Sequence, residues 1–358
     1  MKRLLTLTTV ILLVAMVSAC TPAATEAPTD VEAPAATEAL AATEVPAATE
    51  APAAEEDTFK VGLLSPGPVN DQGWNQTAYD GLVLMEQELG AEISYVELGE
   101  SPSDFEKAFR DYASQGYDMV LGHGFQFQDS AVKVAAEYPD TKFFVSSSYY
   151  YEGTNVYGIN TRSDQAYYLL GVIAGSYGDK GGYVGGVEIP PIKEGEVGFI
   201  NGGLSVNPNW SVSVAYLGNW TDVAAAKEAA LSMIDEGATF VTPNANIAGN
   251  GVYQAAVEKD VWALGSFGDQ TAQAPENIVA SYVLNYGRGL VNIAREVKEG
   301  TFQGDSNILL GVESPDVMYI SYNEGAKEVV SQEVRDKVAA AIEGLVSGEI
   351  DAMAGYEQ

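Results

Sequence analysis

The chain has 358 residues and a formal net charge of −32, from 50 acidic and 18 basic side chains. That balance leaves no basic stripe to neutralise phosphates, so nucleic acid is excluded as a partner and neutral or cationic ligands are favoured. One cysteine excludes an internal disulfide, and one histidine excludes a metal site built on several histidines and leaves His123 as the sole imidazole any triad could use.

In chain order, Lys2 and Arg3 precede an apolar run, Leu4 to Val17, too short and wrongly flanked for a spanning helix. The pattern reads as a secretory signal over residues 1–20. It ends at Val17-Ser18-Ala19-Cys20, which resembles the bacterial lipobox. That resemblance implies cleavage before Cys20, lipidation of Cys20, and a folded part held outside the cytoplasm on a membrane anchor. Residues 21–57 follow as a tether of Ala, Pro, Thr and Glu, with Ala-Ala-Thr-Glu recurring at Ala35–Glu38, Ala41–Glu44 and Ala47–Glu50. Such a segment lacks the apolar surface to offset its ordering entropy. Its prolines and like charges keep it extended.

From Phe59 onward, short apolar runs alternate with helical spacing. Phe59–Leu64 reads as a buried strand, and Trp74–Leu89 as a helix with Ala78, Leu82, Met85 and Leu89 inward and Gly90 as its stop. Ile93–Leu98 is a second strand. Ser103-x-x-Glu106 predicts a capping box opening a helix with Phe105, Ala108, Phe109 and Tyr112 inward. Met119–Gly122, Lys142–Ser146 and Val156–Asn160 are further strands, with a helix around Asp129–Tyr138. The pattern then repeats: a helix over Asp164–Tyr177, strands at Gly182–Val187, Ser211–Leu217, Thr239–Pro243, Val261–Ser266 and Ile278–Val283, and helices near Gly195–Val206, Val223–Glu236 and Gly249–Glu258. This βαβ alternation predicts an α/β protein of two doubly wound lobes with parallel sheets covered on both faces. Two lobes facing each other form a cleft that can close on a small molecule.

Ligands of open α/β sheets sit beyond the carboxyl ends of the strands. A polar, turn-rich loop at Ser65 to Asn75, with Trp74 embedded in it, opens the first helix. Gly122-His-Gly-Phe-Gln-Phe-Gln-Asp129 follows the third strand, and Gly218-Asn-Trp-Thr-Asp222 a strand of the second lobe. Aromatics therefore stand at corresponding strand ends: Trp74, Phe125 and Trp220. An aromatic pair across a cleft would sandwich a planar ring; the alternative is that each packs beneath its own loop. His123 either lines the cleft or is a partly exposed loop imidazole. Tyr149, Tyr150 and Tyr151 are expected to pack the edge of the first lobe rather than line a rim. Carboxylates are abundant, yet no pair stands at a spacing that marks an acid/base couple, and Asp71 is alone near the first strand. An enzyme is therefore not expected.

Val69-Asn-Asp-Gln-Gly-Trp-Asn-Gln resembles the Asp-x-x-aromatic-Asn loop of the basic membrane protein family, which includes the purine nucleoside receptors of ABC importers. Further matches are Gly185-Gly-Val-Glu-Ile-Pro, Gly198-Phe-Ile-Asn-Gly, Val206-Asn-Pro, Tyr216-Leu-Gly-Asn-Trp-Thr-Asp, Gly249-Asn-Gly-Val-Tyr and Gly268-Asp-Gln. They run in order from residue 59 to about residue 350. The resemblance implies a type I periplasmic-binding-protein fold with a hinge of three crossovers and a central cleft. Residues 58–161 plus about 285–312 would form one lobe, and 162–284 plus about 313–358 the other. It also implies that Trp74 and Trp220 hold a purine between them. Asp71 and Asn75 would lie in the motif loop, Asp129 would bond the base edge, and Gly249 and Gly251 would let backbone approach the ligand. Asp269 lies in the matching Gly268-Asp-Gln segment. Hinge segments are expected near Asn160–Arg162, Asn285 and Gly311–Pro315. The implied partners are a purine base or nucleoside and ABC permease and ATPase subunits, with no cofactor and no metal, in a monomeric receptor.

Two departures stand out. Where the nucleoside receptors read Gly-x-Asp-Ser-Asp-Gln, this chain has Gly265-Ser-Phe-Gly-Asp-Gln270, so Phe267 replaces an acid expected to hold ribose hydroxyls. Where a lysine is expected near the sugar, the segment Ser281-Tyr-Val-Leu-Asn285 has Leu284. A site lacking those polar partners favours a free base such as adenine over a nucleoside, and Asn285 would then reach the ring edge. The alternatives are a purine nucleoside receptor, or a sensor or surface lipoprotein not coupled to import.

Overall fold

The computed structural model describes residues 58–70, 74–99, 101–150, 155–304, 307–327 and 330–356. The signal, Cys20, the tether, Asp71 and Tyr151 lie outside them. Two six-stranded sheets organise the described chain. The first contains β1 (Lys60–Ser65), β2 (Glu92–Glu97), β3 (Met119–Gly122), β4 (Lys142–Ser146), β5 (Val156–Thr161) and β11 (Ile308–Leu310), in the order β11-β5-β4-β3-β1-β2 and wholly parallel. The second contains β6 (Lys180–Gly185), β7 (Ser211–Tyr216), β8 (Phe240–Asn244), β9 (Trp262–Gly265), β10 (Ile278–Leu284) and β12 (Met318–Tyr322), in the order β12-β10-β9-β8-β6-β7. There only β12 runs antiparallel, at the edge beside β10. The expected pair of doubly wound lobes is thus present, and the short apolar runs are parallel strands buried between helical layers.

The helices are α1 (Trp74–Leu89), α2 (Pro102–Ser114), α3 (Gln128–Ala135), α4 (Ser163–Tyr177), α5 (Pro190–Val206), α6 (Val223–Asp235), α7 (Asn250–Lys259), α8 (Tyr286–Glu299) and α9 (Gln332–Ser347). In α1 the buried side chains are Ala78, Leu82, Met85 and Leu89, at the expected spacing, and Gly90 ends the helix at φ 63°. In α2, Phe105, Ala108, Phe109 and Tyr112 are buried as expected. The capping box is not formed. The N-cap is Ser101, Pro102 takes the first helical position, and Ser103 already lies inside the helix. Proline fits that first position because its missing N–H would be unbonded there anyway. The helix α5 begins at Pro190, ahead of the expected Gly195, for the same reason. The elements α8, β11, β12 and α9 complete the chain beyond the last expected strand.

One apolar core fills the α2/α3 face of the first sheet and another the α6/α7 face of the second. A third is continuous between them, with Leu82, Leu290, Leu169, Phe199 and Val338 drawn from α1, α8, α4, α5 and α9. The chain passes between sheets three times: from β5 to α4, from β10 to α8, and from β11 to β12. These crossovers are bonded to one another. The Arg162 amide donates to Leu310 O at 2.9 Å, the Asn285 amide to Val317 O at 2.7 Å, and the Val312 amide to Gln165 Oε1 at 3.1 Å.

Candidate functional site

The carboxyl ends of the strands carry the unusual backbone. Four non-glycine residues have positive φ, among those described. Three of them, Ser147 (57°), Asn246 (49°) and Phe267 (63°), lie just past β4, β8 and β9. Such conformations persist only where the surroundings over-determine them, and they cluster at sites.

Trp74 begins α1 at the end of the loop after β1. Its indole stacks on His123 with centroids 4.5 Å apart and planes at 25°, and Tyr286 tilts against it at 4.8 Å. His123 is fully buried, not the partly exposed imidazole that was one expectation. Its Nε2 is 3.0 Å from the Trp74 carbonyl, and its Nδ1 is 2.9 Å from Ser146 Oγ, which is 2.7 Å from the Tyr286 hydroxyl. A carbonyl can only accept, so Nε2 carries a proton. In the neutral ring Nδ1 then accepts from Ser146, whose oxygen accepts from Tyr286. This network backs the indole on its own lobe.

Trp220 is backed differently. A β-carbon on Gly186 would fall 2.3 Å from Cε3 of the indole, so the ring lies directly on the backbone past β6. The Gly186 amide donates to Asn244 O at 2.9 Å, and the Trp220 carbonyl accepts from the Ala248 amide at 3.0 Å. These bonds tie the carboxyl ends of β6, β7 and β8 together. Asn244 is itself fully buried. Its Nδ2 donates to the Tyr183 hydroxyl at 2.8 Å, and that hydroxyl donates to Ile192 O at 2.6 Å. Oδ1 of Asn244 has no hydrogen-bond partner among the described residues.

The other expected site residues are placed as follows. Asn75 lies in the first turn of α1, with Nδ2 3.4 Å from Pro68 O. Phe125 is 67% exposed at the start of a 3₁₀ turn, Phe125–Phe127, and Asp129 is exposed in the first turn of α3. Asn285 caps α8, its side-chain oxygen accepting from the Arg288 amide at 3.3 Å. Asp269 has both oxygens engaged within its own lobe, by the Thr271 amide and by Ser321 Oγ, each at 3.0 Å. The bonds from Thr271 are the main reason its carboxyl is held below the ordinary value. The two glycines serve packing. A β-carbon on Gly251 would lie 2.1 Å from Val223 O of α6, and one on Gly249 2.9 Å from Pro243 Cβ. Their small size admits a neighbouring helix and a proline. At the departures, Phe267 is 37% exposed and lies 5.4 Å from the Tyr282 ring, and Leu284 is buried in the core.

Tyr149 does not pack the edge of the first lobe. It is 51% exposed and reaches across to α5, its hydroxyl donating to Glu194 Oε1 at 3.0 Å. Sequence spacing carried no signal for this contact or for the Ser146–Tyr286 bond, which joins residues 140 positions apart.

The model of a family described as PnrA-like ABC transporter substrate-binding proteins matches residues 58–351. A purine-binding protein of Brucella abortus is 28% identical over 304 residues, covering 84% of each chain. An ABC transporter nucleoside-binding protein of Lactococcus lactis is 26% identical over 305 residues, covering 79% of this chain and 85% of its own. Among solved structures, a solute-binding protein of an ABC transporter system from Conexibacter woesei superposes with a TM-score of 0.67 at 27% identity, covering 82% of this chain and 98% of its own. The strand order, the three bonded crossovers and the matched length agree: the chain belongs to the PnrA-like, or basic membrane protein, family of ABC transporter substrate-binding proteins.

Proposed function

We propose that this protein is a lipid-anchored, extracytoplasmic receptor that captures a purine between its two lobes for an ABC importer, preferring a free base such as adenine to a nucleoside. Trp74 and Trp220 stack on the two faces of the base. Each indole is backed by its own lobe, Trp74 by His123 and Trp220 by Gly186, as a stacking platform requires. Asp71, Asn75 and Asp129 serve the base edge, with Phe125 at the mouth. Asn285 keeps its amide nitrogen for the ring, since its oxygen caps α8.

The observation that carries the preference is Phe267. The resemblance calls for a carboxylate there to hold ribose hydroxyls, and this chain presents a phenyl ring in a left-handed conformation. Leu284 replaces the lysine. Ribose hydroxyls taken from water against apolar groups lose their hydrogen bonds, which costs about 1–3 kcal/mol for each unsatisfied group. A free base has no such groups. The name of the Brucella abortus relative supports a purine, and that of the Lactococcus lactis relative keeps a nucleoside as the second reading. Closure follows from ligand contacts made to both lobes, which favour the closed form by their differential affinity. Cys20 holds this monomeric receptor near its permease and ATPase subunits. Calorimetry against adenine, guanine, adenosine and guanosine tests the reading. Bases are expected to bind more tightly, and nucleosides binding much more tightly than bases would overturn it.

A further inference from the structure

The seam between the lobes holds a pocket of ≈ 340 Å³ on the β5/β11 edge. Neither Trp74 nor Trp220 lines it. Tyr149, in the loop after β4, and Leu309 of β11 line it from the first lobe, Arg162 from a crossover, and Asp164, Glu194 and Met353 from the second lobe. Asp164 is 3% exposed and receives two guanidinium bonds, Arg162 Nε to Oδ1 at 2.9 Å and NH2 to Oδ2 at 2.7 Å. The one cation of the pocket is therefore already matched.

Glu194 has no directly paired cation; Arg162, already bound to Asp164, acts on it only from a distance. Glu194 is 8% exposed, its Oε1 accepts from Tyr149, and no lysine or arginine among the described residues forms an ion pair with it. Two positions along the same helix, Glu196 is 7% exposed and shows what a complete set looks like. It accepts from the Tyr216 hydroxyl, and Lys193 Nζ lies 2.8 and 2.9 Å from its two oxygens. Each glutamate has a phenol, but only Glu196 has an ammonium. A buried carboxylate without a directly paired cation is costly, and a cation delivered from solution relieves that cost.

We propose that this pocket binds a small organic cation with a primary ammonium group, its nitrogen on the Glu194 carboxylate and its hydrocarbon part against Leu309 and Met353. The volume is at the lower end of the roughly 300–1,000 Å³ usual for ligand pockets, which suits a short alkylamine. An ammonium brings three donors, so it can bond Glu194 and neutralise it at once. Because the walls come from both lobes, an occupant also bridges them. By linkage it strengthens any ligand bound in the same arrangement of lobes. The inference is independent of the purine reading.

The test is calorimetric titration of the protein with n-butylammonium chloride. Tetramethylammonium chloride, which has the charge but no N–H donor, and sodium chloride at equal ionic strength are the controls. Butylammonium is expected to bind at one site and the controls not. Glu194→Gln, which keeps an acceptor for Tyr149, should weaken butylammonium about tenfold or more, while Trp220→Ala leaves it unchanged. Leu309→Lys, at a position 42% exposed, introduces a competing ammonium at the pocket and should also remove binding. Butylammonium acting no differently from sodium, or binding the Glu194→Gln protein as tightly as the parent, would overturn the proposal. So would binding that is lost in Trp220→Ala but kept in both pocket variants.

Discussion

Gly186 lies so close beneath Trp220 that a β-carbon there would be 2.3 Å from the indole. The amide of Gly186 is held by Asn244 O of β8, so the backbone under the ring cannot retreat without breaking a bond across the sheet. The orientation of Trp220 is thereby set by a glycine thirty-odd residues earlier in the chain.

Gly186→Ala should therefore act on ligand binding through Trp220. If the indole stacks on the purine, displacing it weakens the ligand by roughly 1–3 kcal/mol, the usual worth of one base–aromatic stack. Trp220→Ala should cost a similar amount, and the double variant no more than Trp220→Ala alone, because both changes remove one platform. Calorimetric affinities for adenine across this cycle check it. Additive losses would mean that Gly186 acts on something other than the ring.

On the first lobe the corresponding support is the His123 network. Trp74→Ala should also weaken a purine by roughly 1–3 kcal/mol, but with a loss of stability, since the ring packs on His123 and Tyr286. His123→Leu removes the acceptor for Ser146 and the donor for the Trp74 carbonyl. Each buried group left unpaired costs about 1–3 kcal/mol. Urea unfolding measures the stability loss, and adenine titration of the still-folded fraction measures whether the platform has moved.

Much of this architecture was legible in the sequence, because parallel strands buried on both faces leave continuous apolar runs and their covering helices leave a 3.6-residue period. The inward residues of α1 and α2 followed from spacing alone. What escaped has a physical reason in each case. Ser103 matched a capping pattern, but Pro102 took the first helical position and moved the cap to Ser101. The close approach of Pro243 to Gly249 and of the α6 backbone to Gly251 left no local pattern either, since a glycine in sequence does not name its neighbour. The strand-end position of His123 gave no hint of burial, because its partners Ser146 and Tyr286 come from distant segments. Tyr149–Glu194 likewise joins two lobes, and no local pattern encodes such a contact.

The packing of α4 on α5 gives a prediction about stability alone. A β-carbon on Gly202 would lie 1.9 Å from Tyr168 O, and one on Gly198 2.1 Å from Asp164 O. The obstacle is backbone in both cases, so the helices must separate. Overpacking of this kind costs about 1–3 kcal/mol and sometimes more. Gly202→Ala should stand at the upper end of that range by denaturant midpoint, and Gly90→Ala, with open space around it but φ 63°, should cost less. Equal losses would point to backbone entropy rather than helix approach as the cause.

Glu194 makes the stability of the seam depend on pH. Burial is the main cause that raises its carboxyl above the ordinary 4.5, with the charge of Asp164 adding to it; the Tyr149 hydroxyl and Arg162 oppose the rise. A carboxyl with a raised folded value holds its proton more tightly in the folded protein than in the unfolded chain. Stability from this group is greatest below the unfolded value and declines as pH rises through the folded value. Glu194→Gln abolishes that decline, so its melting temperature should match the parent below the ordinary carboxyl value, exceed it increasingly as pH rises from there, and level off once the folded carboxyl is fully ionised. Tyr149→Phe removes a bond that favours the charged form, raises the carboxyl further, and should deepen the decline. Melting curves of the three proteins at successive pH values decide the matter. A constant gap between parent and Glu194→Gln would mean that the carboxyl keeps its unfolded value in the folded seam, and that burial there is offset by Tyr149 and Arg162.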